Sequence, residues 1–156
     1  MAASRLKPIL SGVAGEYFVA GELSRRGYVA SITLRNTRGI DILASNADAT
    51  RSVGIQVKTR QDAGTDWVLT QKSEAAPDGD VADNLYYVFV SLNGAEAPSY
   101  HVVPRTTVAQ YIRANHASWL ATPGKKGQAH RDNAIRKFAD SRGEYRDAWH
   151  LLGLDC

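Results

Sequence analysis

The chain has 156 residues, 44% of them apolar and 22% charged, with a formal net charge of +3. That length supports one domain, 1–156, with a proper core, and the composition is that of an ordinary globular protein rather than a disordered or fibrous one. No apolar run approaches the roughly 20 residues that span a bilayer, and the opening MAASRLKPIL lacks the apolar stretch of a signal peptide. The single cysteine, Cys156, leaves no internal disulfide and no thiolate zinc site, so a reducing cytoplasm is the expected compartment. The histidines, His101, His116, His130 and His150, show no ligand spacing.

Ser11 reads as an N-cap and Gly27 as the stop of a helix over about 12–26. On a helical wheel Val13, Tyr17, Ala20, Leu23 and Ser24 share one side. Glu16 falls inside that stripe, where a charge needs a partner, and Glu22 falls opposite, facing water. YVASITL (28–34), GIDILAS (39–45) and SVGIQVKT (52–59) read as strands, with NADATR as the turn between the last two. A symmetric turn sets Ser45 opposite Ser52 and Asp41 opposite Gln56. Lys58 joins their face, because residues two apart point the same way, and Ile40, Ile42, Ile55 and Val57 form the buried face.

Further along, DWVLT (66–70) is a short strand, and 71–84 is a loop with one helical turn. LYYVFVSL (85–92) is a central strand and SYHVVP (99–104) another. Thr106 or Thr107 caps a helix carrying Val108, Ala109, Tyr111 and Ile112, and 121–128 is a loop. RDNAIRKFAD (131–140) suggests a basic amphipathic helix with Ala134, Ile135 and Phe138 inward, and YRDAWHLLGL (145–154) packs on the body. Trp67, Trp119 and Trp149 read as core or interface anchors. From Arg105 to Arg146 there are nine bases against three acids, a balance that favours a polyanionic partner or a solvated helical surface equally.

Glu16 in Gly12-Val13-Ala14-Gly15-Glu16, then Asp41 on one strand, then Gln56-Val57-Lys58 on the next, resembles the PD-(D/E)XK nuclease superfamily. The pattern is most similar to its small bacterial nuclease-like group with a G-x-x-G-E helix and a Q-x-K variant motif. The motif-bearing likeness covers about 11–60, within a motif core of about 11–103; a basic helical part follows over about 104–156. The resemblance implies an α/β, restriction-endonuclease-like fold with a central mixed β-sheet flanked by helices. It implies a Mg²⁺ (or Mn²⁺) dependent site acting on DNA, and a homodimer, since many members pair to cut both strands. Asp41 would be the main metal ligand, Gln56 would fill the second acidic position, Glu16 would complete the shell, and Lys58 would hold the attacking water or the scissile phosphate. The Val57 carbonyl would be an extra ligand.

The residue types suit the chemistry. A hard divalent ion takes oxygen ligands and keeps several waters. It acidifies a bound water and draws charge from phosphate, while a lysine beside it acts as a point charge. Gln56 departs from the usual Asp or Glu, since an amide oxygen can ligate but brings no negative charge. Ile40 also replaces the motif's proline. Gln56 leaves a catalytically inactive nucleic-acid-binding protein on the same fold as one alternative to the nuclease, and the basic C-terminal third leaves a protein-interaction or immunity-type partner as another. Arg35, Asn36, Arg38, Arg60, Lys72, Lys125 and Lys126 are candidates for sequence-independent contact with the DNA backbone.

Overall fold

The computed structural model describes residues 4–34, 39–75 and 83–155. Helix α1 spans Pro8–Arg25, starting earlier than expected. Pro8 supplies the pre-set first turn after Lys7, and Ser11 is not the cap but donates its hydroxyl to the Pro8 carbonyl at 2.9 Å. The stop lies where expected. Gly27 has φ +89°, and the bonds Gly27 N–H to Ser24 O and Tyr28 N–H to Leu23 O close a Schellman motif.

The buried stripe of α1 is Ser11, Gly15, Val19 and Leu23, four residues apart each time, whereas Tyr17 is exposed. The wheel expectation is therefore corrected in part. Leu23 is inside and Val13 half-buried, but Tyr17 and Ser24 are exposed. The reason is that Ser11 and Gly15 are small, so this face brings the helix axis close to the sheet. Glu22 is corrected as well: its side chain is only 12% exposed and pairs with Arg26 at 3.0 Å and Arg25 at 3.6 Å.

Strands β1 (Val29–Ile32), β2 (Ile42–Ser45), β3 (Ser52–Arg60), β5 (Leu85–Ser91) and β6 (Ser99–Pro104) form one sheet in the order β1-β2-β3-β5-β6. All neighbours are antiparallel except β3 and β5, which run parallel. Ser45 pairs with Ser52 and Ile42 with Ile55, as the symmetric turn required. The crossover from β3 to β5 carries β4 (Asp66–Thr70) and a 3-10 turn, Gln71–Glu74. Helix α2 covers Arg105–Ala121 and buries Val108, Ala109, Ile112 and His116, leaving Tyr111 outward.

The segment 131–140 is not a helix. Ile135–Ala139 is strand β7, paired antiparallel with β4 in a second, two-stranded sheet. Arg136 and Phe138 point inward and Ile135 outward, the alternation of a strand. The expected inward set Ala134, Ile135, Phe138 fails because the inner partner of Phe138 is an arginine. Arg136 is buried, ion-paired to Glu74, and donates to the carbonyls of Asn133 at 2.6 Å and Ile135 at 2.9 Å. The C-terminal part is thus mixed rather than helical.

Two apolar clusters lie on opposite faces of the main sheet. One joins Val19 and Leu23 of α1 to Ile42, Ile55, Val88, Val102, Trp149 and Leu152. The other joins Tyr87, Phe89 and Val103 to Trp67, Ile112 and Phe138. Each large side chain so buried stabilises the fold by about 1.5–3 kcal/mol. The alternation of β5, with Val88 facing one cluster and Phe89 the other, marks it as an interior strand buried on both faces.

Candidate active site

The close approach of α1 to β3 begins at Gly15. A β-carbon there would overlap the Thr59 hydroxyl, so only glycine lets the helix sit down on the end of β3. Glu16 follows at this junction and is half-buried. Asp41 lies one residue before β2. Its backbone N–H bonds the Ile55 carbonyl at 2.8 Å, and its Oδ2 accepts the Val57 N–H at 2.7 Å. The carboxylate thus takes the place on β3 that a further residue of β2 would have filled, and the ladder stops there.

Why the ladder stops is local. Gly39 has φ +69°, which only glycine adopts without strain, and the turn swings Ile40 towards Gly54. A β-carbon on Gly54 would meet the Ile40 side chain at 3.3 Å. Ile40 therefore sits on the face of Gly54 and Gln56, not with Ile42 and Ile55 as the unbroken strand predicted. The same turn abuts Gln56: a β-carbon on Gly39 would lie 3.5 Å from Gln56 Oε1.

Gln56 and Lys58 pair in register with Tyr87 and Phe89 of β5 and share their face. Val57 stands two residues past Ile55, so its N–H and C=O both open onto the Asp41 edge of β3. The Asp41 carboxylate thus meets the Val57 main chain past the end of β2, and the Gly39 turn abuts the Gln56 amide; Lys58 lies two residues further along β3, and Glu16 is on α1, which packs on the opposite face of the sheet from the Gln56 and Lys58 side chains. Among the described residues no three of His, Cys, Asp and Glu cluster as a metal site.

The other candidates are scattered. Arg35, Asn36 and Arg38 lie outside the described residues. Arg60 is engaged in the fold: it donates to Ser91 Oγ, reaches the Asp66 carbonyl at 3.2 Å and lies over the Trp67 ring at 3.7 Å. Burial pushes its pKa down, against the pull of Asp62 and Asp66. Lys72 is exposed on the 3-10 turn, and Lys125 and Lys126 are exposed on the loop after α2. Trp67 and Trp149 are core residues. Trp119 is partly exposed and stacks on His130, with ring centroids 4.1 Å apart.

Sequence reading missed two histidine–aspartate pairs, one of them buried on both sides. His101 Nδ1 meets Asp140 Oδ2 at 2.8 Å, and His116 Nε2 meets Asp132 Oδ1 at 2.7 Å. Their separations in sequence, 39 and 16 residues, carry no local signal. The bond to His116 holds the Asp132 carboxyl below its usual range.

No family model matches the sequence, and no curated protein matches it. In structure the chain is similar to a bacterial homing endonuclease, I-Ssp6803I, at TM-score 0.54 and 15% identity, over 98% of this chain and 94% of that one. The fold is the restriction-endonuclease-like fold. A second neighbour is Hjc, a Holliday junction resolvase of the archaeon Archaeoglobus fulgidus, at TM-score 0.45 and 17% identity, over 83% of this chain and 84% of that one. In this fold Asp41 lies one residue before the second sheet strand, and Gln56 and Lys58 lie within the third. No helix among the described residues is long and apolar enough to cross a membrane.

Proposed function

We propose that the protein is a metal-dependent endonuclease that hydrolyses DNA phosphodiester bonds. Asp41, Gln56, Glu16 and the Val57 carbonyl would hold Mg²⁺ or Mn²⁺, and Lys58 would assist at the scissile phosphate. The observation that carries this reading is the Asp41 carboxylate docked at 2.7 Å on the strand that bears Gln56 and Lys58. The nuclease fold supports it, and so does the neighbour described as a homing endonuclease.

The donors fit a hard cation, being carboxylate, amide and main-chain oxygens throughout. Asp41 uses Oδ2 to accept the Val57 N–H, which orients the carboxylate and leaves Oδ1 for another partner. When bound, the ion lowers the pKa of water and withdraws charge from a non-bridging oxygen. The remaining work falls to the chain. The Val57 N–H fixes the carboxylate before substrate arrives. Gln56 adds an oxygen without charge. Lys58 has no ion-pair partner among the described residues, so its ammonium is available to the phosphate and to the water that attacks it. A homodimer, acting on both strands, belongs to this reading.

The test is nicking of supercoiled plasmid by purified protein with Mg²⁺ or Mn²⁺ and with chelator. Cutting is expected with the ions and not with chelator. Asp41→Asn keeps the acceptor for Val57 and should melt like the parent, yet lose cutting by about 100-fold or more. Lys58→Ala should behave likewise. If either variant cuts like the parent, the assigned roles are wrong. Gln56 favours one second reading, a nucleic-acid-binding protein that does not cut. Tight DNA binding with no cleavage under either ion would favour that reading.

A further inference from the structure

A cleft of about 440 Å³ adjoins Lys58. It lies between the start of α1, the end of β3 and the edge of β4, and its walls include Arg5, Pro8, Lys58, Gln61, Asp62 and Asp66. Of its two acids only Asp66 is ion-paired among the described residues, while Asp62 is held in a local turn. Asp62 Oδ1 accepts the Gly64 N–H at 3.2 Å, and Asp66 Oδ2 pairs with Lys137 at 3.5 Å. Arg60 also lines the cleft but is bound to Ser91 and covers Trp67. Arg5 and Lys58 are left as its two cations without an ion-pair partner among the described residues.

Arg5 belongs to an exposed, extended lead-in to α1, which has little burial of its own to hold it. What holds it is Gln61. The carboxamide accepts the Leu6 N–H at 2.8 Å and donates to the Leu6 carbonyl at 2.7 Å. Two bonds to one residue fix both the position and the rotation of that residue, as a rung of a sheet does. Only an amide side chain offers donor and acceptor in that spacing. Arg5, the residue before Leu6, is thereby placed on the wall of the cleft that Lys58 also lines.

We propose that this cleft seats the backbone phosphate next to the scissile one, held by Arg5 while Lys58 serves the scissile phosphate at the adjoining end, and that Gln61 is a positioning residue acting through Leu6 on Arg5. The inference rests on the nuclease reading for the identity of the strand. It adds a contact outside the metal-bearing edge and a residue, Gln61, whose effect depends on Arg5.

The probe is a fluorescently labelled DNA duplex, with anisotropy measured in chelator across a salt series. Arg5→Ala should weaken binding by about 3- to 10-fold and lower the salt slope by about one. Gln61→Ala and Gln61→Glu should both weaken binding, Gln61→Glu because it loses the donor to the Leu6 carbonyl. The double variant Arg5→Ala with Gln61→Ala should bind no worse than Arg5→Ala alone, a non-additivity that general loss of stability would not produce. Wild-type affinity and slope in Arg5→Ala, or additive losses in the double variant, would overturn the proposal. If those results come with plasmid cutting that Asp41→Asn abolishes, the nuclease reading survives without it. If the Arg5 and Gln61 pattern appears in a protein that never cuts, the cleft stands and the nuclease reading falls. No binding by the parent protein at any salt overturns both.

Discussion

Gly15 and Thr59 meet with no room between them, and Gln56 stands where the motif's usual carboxylate would add a negative charge. The first is a packing constraint. Gly15→Ala drives a methyl group into the Thr59 hydroxyl, and about 1–3 kcal/mol of stability should be lost. That hydroxyl is buried with no hydrogen-bond partner among the described residues, so Thr59→Ala alone should cost little. Combined with Gly15→Ala, it should return part of the loss. Urea melts of the two single variants and the double variant measure this, and strict additivity would show that the contact is not what glycine serves. The second constraint is electrostatic. Gln56→Glu adds a negative charge beside the Gly39 turn, and, if Gln56 is a ligand as proposed, Mn²⁺ should bind about tenfold tighter by calorimetry. Unchanged affinity would remove Gln56 from the ligand set.

At the scale of elements, β7 carries the main lesson. Its five residues contain an arginine at an inward position, which breaks the apolar pattern on which a strand is recognised. The arginine is tolerable only because Glu74, more than 60 residues earlier in the chain, meets it. Removing that partner leaves a buried charge, so Glu74→Ala should destabilise the protein by about 3–5 kcal/mol. Replacing both, Arg136→Met with Glu74→Leu, should cost far less. Thermal melts distinguish the two cases, and equal losses would mean that the ion pair is not the determinant. Helix α1 shows the converse problem. It has apolar side chains on two sides, and the wheel's stripe straddled them: Leu23 and Ala20 pack on the core while Tyr17 is exposed. The stripe that packs contains Ser11 and Gly15, whose value lies in their small size rather than their hydropathy. The wheel still found Glu16 at the flank of the contact, whereas its placing of Glu22 in water was wrong.

For the whole molecule, the C-terminal segment closes the edge of the main sheet. Residues 145–147 bond to Tyr100 and Val102 of β6, and Trp149, Leu152 and Leu154 cap the first apolar cluster. An uncovered edge strand invites association with other chains, and this segment covers it. Tyr28 ties down its far end by donating its hydroxyl to Asp155. Its phenol is pushed up to about 12, by burial first and by that bond second. The folded state therefore holds the phenol proton more tightly than the unfolded chain does. The resulting stability is intact below the ordinary tyrosine range, near 10, and is lost as pH rises through about 12. In an absorbance titration one tyrosine should ionise last, and Tyr28→Phe should remove that final step. If the last step persists in Tyr28→Phe, the bond to Asp155 does not hold the segment.

The local rules of the chain were enough for most strands, for the stop of α1 at Gly27 and for the register that sets Ser45 against Ser52. Each of these depends on residues within a few positions of one another, where backbone geometry and side-chain period act directly. They were also enough to bring Asp41 to the strand of Gln56 and Lys58, since one tight turn joins the two. Tertiary structure alone decided how Asp41 is held, because the break at Gly39 and Ile40 turns its carboxylate onto the Val57 main chain. It alone decided that Arg136 is inside, that His101 and His116 find aspartates, and that Gln61 fastens Leu6. Those partners are distant in sequence, and no periodicity links residues that meet only when separate elements pack.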